Sequence, residues 1–158
     1  IMVFGGIGRE AETGTVTRFN DMWSFDGTTW TEVKPPAVPN PHYGSQVAYN
    51  PVTKTVLLFG GKNEEEQYVN DQWEWDGTTW KNTSQPDAPS PRMNGGFTYD
   101  SSINAFRLFG GYAGVYFSEL WRFDSSWKIE ASPVSRRRGA RVGAGGVVIS
   151  SRGFALPE

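Results

Sequence analysis

The chain has 158 residues and a formal net charge of −2, which argues against the basic surface of a nucleic-acid binder and against a strongly acidic tail. Cysteine is absent, so disulfides and thiolate chemistry are excluded, and apolar runs such as Val147-Val148-Ile149 are far too short to cross a bilayer. Aromatic residues at 15%, with 19 Gly and 10 Pro, fit short strands separated by turns.

In chain order, an apolar run ending in Phe-Gly-Gly opens the sequence at Phe4-Gly5-Gly6 and returns at Phe59-Gly60-Gly61 and Phe109-Gly110-Gly111. A second phrase follows each of them. It reads Asn-Asp-Met-Trp-Ser-Phe-Asp-Gly-Thr-Thr-Trp up to Trp30 and Asn-Asp-Gln-Trp-Glu-Trp-Asp-Gly-Thr-Thr-Trp up to Trp80. The third version, ending at Trp127, is one residue shorter at its turn. All seven tryptophans lie in these phrases, so they are repeated packing residues first. The closing tryptophans are 50 and 47 residues apart, a period that points to propeller blades rather than helical solenoids.

Each repeat reads as four strands, a to d. In the second repeat they fall at residues 45–49, 55–60, 72–76 and 79–83; in the third, at 95–99, 105–110, 119–124 and 126–130. Strand b is nearly continuous in apolar character, as suits a strand covered on both faces. Strand c alternates, with Trp73 and Trp75 expected on one face and Gln72, Glu74 and Asp76 on the other. Asp26-Gly27 and Asp76-Gly77 are hairpin signals, and Asp124-Ser125 replaces them in the third repeat. Pro39-Asn40-Pro41 and Pro89-Ser90-Pro91 hold the d-to-a crossovers extended.

The expected division is a partial blade at residues 1–34 (strands b, c and d), a second blade at 44–83, a third at 94–131, and the start of a divergent or truncated fourth at 142–158. Since propeller rings usually have four to eight blades, the chain is expected to cover about three blades of a larger ring. The fold class is therefore all-β, with four-stranded antiparallel blades.

The Gly-Gly doublet after an apolar strand (Gly5, Gly6; Gly60, Gly61; Gly110, Gly111), then one Trp (Trp23, Trp73, Trp121) and a second (Trp30, Trp80, Trp127), resembles kelch repeats. The wording looks most like bacterial kelch proteins, many of them exported, which favours an extracellular or cell-surface location. The resemblance implies a galactose oxidase-like propeller fold that usually binds other molecules, with a minority of enzymes. Copper-radical oxidases of this fold need a Cys joined to a Tyr, which this chain lacks.

No residue is assigned a catalytic role. The Gly pairs lead into neither a helix nor a Lys-Ser/Thr pair, so they read as backbone devices rather than phosphate cradles. Asp26, Asp76 and Asp124 recur at one turn position, which turn formation explains. His42 is the only histidine, so neither a metal site nor any other cofactor is expected. The basic run at residues 136–141 lacks interleaved aromatics and reads as a solvated crossover; Glu64-Glu65-Glu66 reads as a solvated loop tip. Asn82-Thr83-Ser84 matches a glycosylation acceptor near a strand end.

The b-to-c loops vary, with thirteen, eight and six residues at 7–19, 62–69 and 112–117, while the spacing from Trp30 to Phe59 and from Trp80 to Phe109 is the same 29 residues. Because antiparallel strands alternate direction, these loops share a face with the d-to-a crossovers. Arg9, Glu10, His42, Tyr68, Arg92, Tyr112 and Tyr116 are the candidate ligand-binding residues there. The first expectation is a non-catalytic binding scaffold for protein or carbohydrate, completed by the remaining blades of its ring. The alternative is part of a propeller enzyme acting on carbohydrate (hydrolase, lyase or epimerase) with catalytic residues in other blades. Strand a offers Ser45, Gln46, Asn94, Gly95 and Gly96 but no carboxylate before its turns, which favours binding.

Overall fold

Apolar runs and Trp phrases become strands in a computed structural model that describes residues 1–130. The first sheet contains β1 (Met2–Arg9), β2 (Val16–Phe25) and β3 (Trp30–Val33), in that order. The second contains β4 (Gln46–Asn50), β5 (Thr55–Lys62), β6 (Tyr68–Trp75) and β7 (Trp80–Asn82). The third repeats this with β8 (Gly96–Asp100), β9 (Ala105–Phe109), β10 (Leu120–Phe123) and β11 (Trp127–Glu130). Every strand pairing is antiparallel. The start of a fourth repeat and the basic run at residues 136–141 lie outside the described residues.

Strands β5 and β6 run further toward the loop than the sequence predicts, because the Gly pair is a bulge rather than a strand end. The register shifts between Phe59 and Gly61, after which Gly61 pairs with Val69 and Lys62 with Tyr68. The first sheet shifts likewise between Phe4 and Gly6 and continues to Arg9. Gly60 and Gly61 have φ of 62° and 112°, and a Cβ on Gly60 would lie 2.5 Å from the Arg92 carbonyl oxygen. That close approach forms a seam between sheets: Gly6 N–H donates to His42 O at 3.0 Å, and Gly61 N–H to Arg92 O at 2.9 Å.

The core lies between sheets. Trp80 of the second sheet packs on Phe4 of the first with ring centroids 5.1 Å apart, and Trp127 of the third packs on Phe59 of the second at 4.9 Å. Leu57, Phe59, Leu108 and Trp127 are buried together with Ala48, Phe97 and Phe106 around them. Trp30 departs from its expected core role: it is 49% exposed and stacks on Phe25, because no described strand covers its outer side. Trp23 and Trp73 are partly buried, each donating its indole N–H to a carboxylate two residues back, Asp21 or Asp71, at 2.7 Å.

Gln72 lies on the face of strand c opposite Trp73 and Trp75, as the alternation predicts, and it is buried because the third sheet covers that face. Its Oε1 accepts the Trp127 indole N–H at 2.8 Å, and its Nε2 donates to Thr83 Oγ1 at 3.0 Å. In the first sheet Met22 stands at that place paired with Val33, and the buried Trp80 indole N–H has no partner among the described residues.

The c-to-d turns use their aspartates as read from the sequence. Asp26 Oδ1 accepts the N–H groups of Thr28 and Thr29, and Asp76 Oδ1 those of Thr78 and Thr79. In the turn that is one residue shorter, Asp124 Oδ1 accepts the N–H and the hydroxyl of Ser125. A hydrogen bond from Lys81, then the two turn N–H groups, hold the Asp76 carboxyl down at about 2.

Candidate functional site

The seam that joins successive sheets also gathers their loops on one side. Tyr43, in the crossover into the second sheet, pairs with Lys62 at the end of β5, and Met93 in the next crossover pairs with Tyr112. Those bridges place residues 63–67 and 110–119 beside the crossovers.

Three of the sequence-predicted residues meet there. Tyr68 and Tyr112 pack edge to face with centroids 6.0 Å apart, and Tyr112 packs on Tyr116 at 5.0 Å. The result is an aromatic row that starts in the second sheet and ends at Tyr116, which is 58% exposed. Arg9 and Glu10 are exposed at the edge of the first sheet's loop, where Glu10 accepts a hydrogen bond from the Thr13 hydroxyl.

His42 and Arg92 do not join the exposed set, which corrects their assignment as recognition residues. Both crossovers fold back between sheets, leaving these side chains 4% and 1% exposed. Arg92 donates Nε to Ser90 O at 2.9 Å and Nη1 to Gly110 O at 3.0 Å, and its Nη1 lies 3.3 Å from Glu119 Oε2. Its guanidinium carbon also sits 3.9 Å from the Phe117 ring centroid. Burial pulls its pKa down, while Glu119 opposes that shift. His42 Nε2 lies 3.6 Å from Asp71 Oδ2 in the same repeat position. Both residues hold their crossover to strand c.

The structure adds residues that sequence reading leaves out. Glu66, at φ 61° in the loop tip, accepts from Tyr43 Oη at 2.6 Å and from Lys62 Nζ at 3.0 Å, and it also takes a hydrogen bond from Arg18 of the first sheet. Bonds from Tyr43, then Arg18 and Lys62, hold the Glu66 carboxyl at about 2, so it stays ionised down to strongly acidic pH. Glu66 thereby ties the loops of two sheets beside the aromatic row. Lys62 Nζ lies 4.9 Å from the Tyr68 ring centroid, and the Arg18 guanidinium carbon 5.9 Å from that of Tyr43. Among the described residues, no group of three or more His, Cys, Asp or Glu is placed to hold a metal ion. Nor is any helix among them long and apolar enough to cross a membrane.

Comparison with known proteins agrees with this architecture. Residues 1–153 match the KLHDC2/KLHL20/DRC7 Kelch-repeats domain. No curated protein matches the sequence. Among solved structures, the chain is similar to the structure of YjhT, with a TM-score of 0.68 and 17% identity over 85% of this chain and 49% of that one. It spans about half the length of that neighbour, and at this identity the likeness speaks to the fold alone. With the repeated Gly-Gly bulges, the inter-sheet Trp–Phe pairs and the family match in agreement, the chain belongs to the kelch-repeat family of β-propeller domains.

Proposed function

We propose that the chain is a non-catalytic binding module that recognises a protein through the face carrying its b-to-c loops and d-to-a crossovers. The observation that carries this reading is the convergence of Tyr68, at the start of β6, with Tyr112 and Tyr116 of the loop between β9 and β10 into one partly exposed row. Tyrosine supplies a large amphipathic contact area at low entropic cost, which is why it is enriched at binding hot spots. Varying the loops changes that surface while the seam beneath it stays the same. The blades are read as residues 1–34, 44–83 and 94–131 of a larger ring, whose remaining blades are a second partner. The half-length coverage of YjhT supports that reading.

Peptide and glycan arrays probed with the labelled chain test it, alongside assays on common glycosides. Retention of peptides that is lost in Tyr112→Ala and Tyr116→Ala supports the module. Retention of glycans alone would replace protein by carbohydrate as the partner. Turnover of a glycoside would replace the module by an enzyme.

A further inference from the structure

The aromatic rings of this face show what they accept. Tyr43 faces Arg18 at 5.9 Å, Tyr68 faces Lys62 at 4.9 Å, and Phe117 faces Arg92 at 3.9 Å. Each ring is matched with a cation of the chain itself, which is the pairing that the negative face of an aromatic quadrupole favours. Tyr112 and Tyr116 complete the row, and among the described residues neither has a cation over it. Tyr116 and its neighbour Val115 are among the most exposed large apolar side chains of the chain.

The charges around the row point the same way. Its cations are already committed: Arg18 and Lys62 to Glu66, and Arg92 to Glu119. On the two acidic loops, Glu10, Glu12, Glu64 and Glu65 form no ion pair among the described residues, and Arg9 is the cation beside them without one. The loop tip that carries Glu64 and Glu65 directly follows Lys62, where the aromatic row begins. A partner meeting this face is therefore attracted if it is basic and repelled if it is acidic.

We infer that the recognition face takes a basic segment of a partner protein, seating a Lys or Arg side chain on Tyr112 and Tyr116 while the acidic loops draw it in. The inference rests on the binding-module reading and gives that module a partner class. The long stem of such a side chain lies along Val115 and the ring edges, and its charged end meets the ring face. No covalent step is involved, and recognition depends on ring face and charge rather than on a buried pocket.

The test uses two fluorescent peptides of identical Gly, Ser and Val framework, one carrying arginines and the other glutamates at the same positions. Anisotropy titrations with the full chain are expected to show binding of the arginine peptide only, weakening steeply with salt. Tyr116→Ala and Tyr112→Ala should each weaken binding by about threefold to thirtyfold, and Tyr116→Phe, which keeps the ring, by far less. Glu64→Gln combined with Glu65→Gln should slow association and flatten the salt dependence. Thermal melts unchanged from wild type in these variants show that the effect is on binding. The inference is overturned if the arginine peptide does not bind, or binds the tyrosine-to-alanine variants as well as wild type. Preferential binding of the glutamate peptide, lost in the same variants, overturns the charge assignment and leaves the recognition face standing. Binding insensitive to all loop-face variants but lost on changes to the opposite turns would overturn both.

Discussion

Two buried tryptophans occupy equivalent places and differ in one hydrogen bond, so the same substitution at each isolates that bond. Trp80 and Trp127 are both 3% exposed, and each packs on the b-strand Phe of the preceding sheet at nearly the same distance. Replacing either by Phe removes the same indole area, and the packing terms largely cancel in the comparison. Trp127→Phe also removes the 2.8 Å bond to Gln72 Oε1, and Thr83 already holds the amide nitrogen, so the oxygen is left buried without a donor. A lost bond of this kind is worth about 1 kcal/mol, and a stranded buried acceptor raises the cost toward about 3 kcal/mol. Trp80→Phe deletes a donor that has no partner and carries no such term. Trp127→Phe should therefore be more destabilising than Trp80→Phe by about 2 kcal/mol. Urea unfolding followed by circular dichroism measures the difference, with equal m-values showing that both variants report on the same cooperative unit. Equal losses, or a larger loss at Trp80, would refute the reasoning.

Met22→Gln alone places an amide nitrogen beside Val33, which cannot accept its hydrogen bond, whereas adding Val33→Thr recreates the Gln72–Thr83–Trp127 arrangement around Trp80; the double variant should recover about 1 kcal/mol over the single in urea unfolding. Gly60→Ala forces a Cβ against the Arg92 carbonyl at φ 62° and should cost more than about 3 kcal/mol, while Gly77→Ala meets open space and should cost about 1 kcal/mol; thermal melts rank the two. Glu66 has its folded pKa lowered from 4.5 to about 2, so its ionised form contributes stability that is fully present above 4.5 and is lost as pH falls toward 2. Glu66→Gln should flatten that part of the acid limb in a pH series of urea midpoints, and an unchanged limb would remove Glu66 from its bridging role.

The repeat, the strand order and the turn aspartates were legible because each follows from local chemistry copied along the chain. Asp76 caps its own turn whatever surrounds it, and the Gly doublet that follows each apolar strand marks a bend in the backbone. What depended on a neighbouring sheet was not legible. Gln72 looks solvent-facing when β6 is considered alone, and only the Trp127 indole of the third sheet makes that position an interior one. His42 and Arg92 sit in Pro-rich segments that read as surface, yet those segments fold inward to complete the seam. Among Glu64, Glu65 and Glu66 nothing in the sequence marks the third; the left-handed backbone at Glu66 turns it toward Arg18 and Tyr43, far from it in sequence. Tyr68, Tyr112 and Tyr116 stood out as candidates because the connection between strands b and c varies in length, and their packing into one row follows from contacts between sheets.

The Gly-Gly seam is made from main-chain atoms, Gly61 N–H on Arg92 O and its copy one repeat earlier. Such a joint does not depend on which side chains the adjoining loop carries or on how many residues it holds. The loops thus behave as interchangeable fittings on a standard mount: transplanting residues 112–117 in place of 62–69 would alter what the face grips and leave the frame beneath it in register.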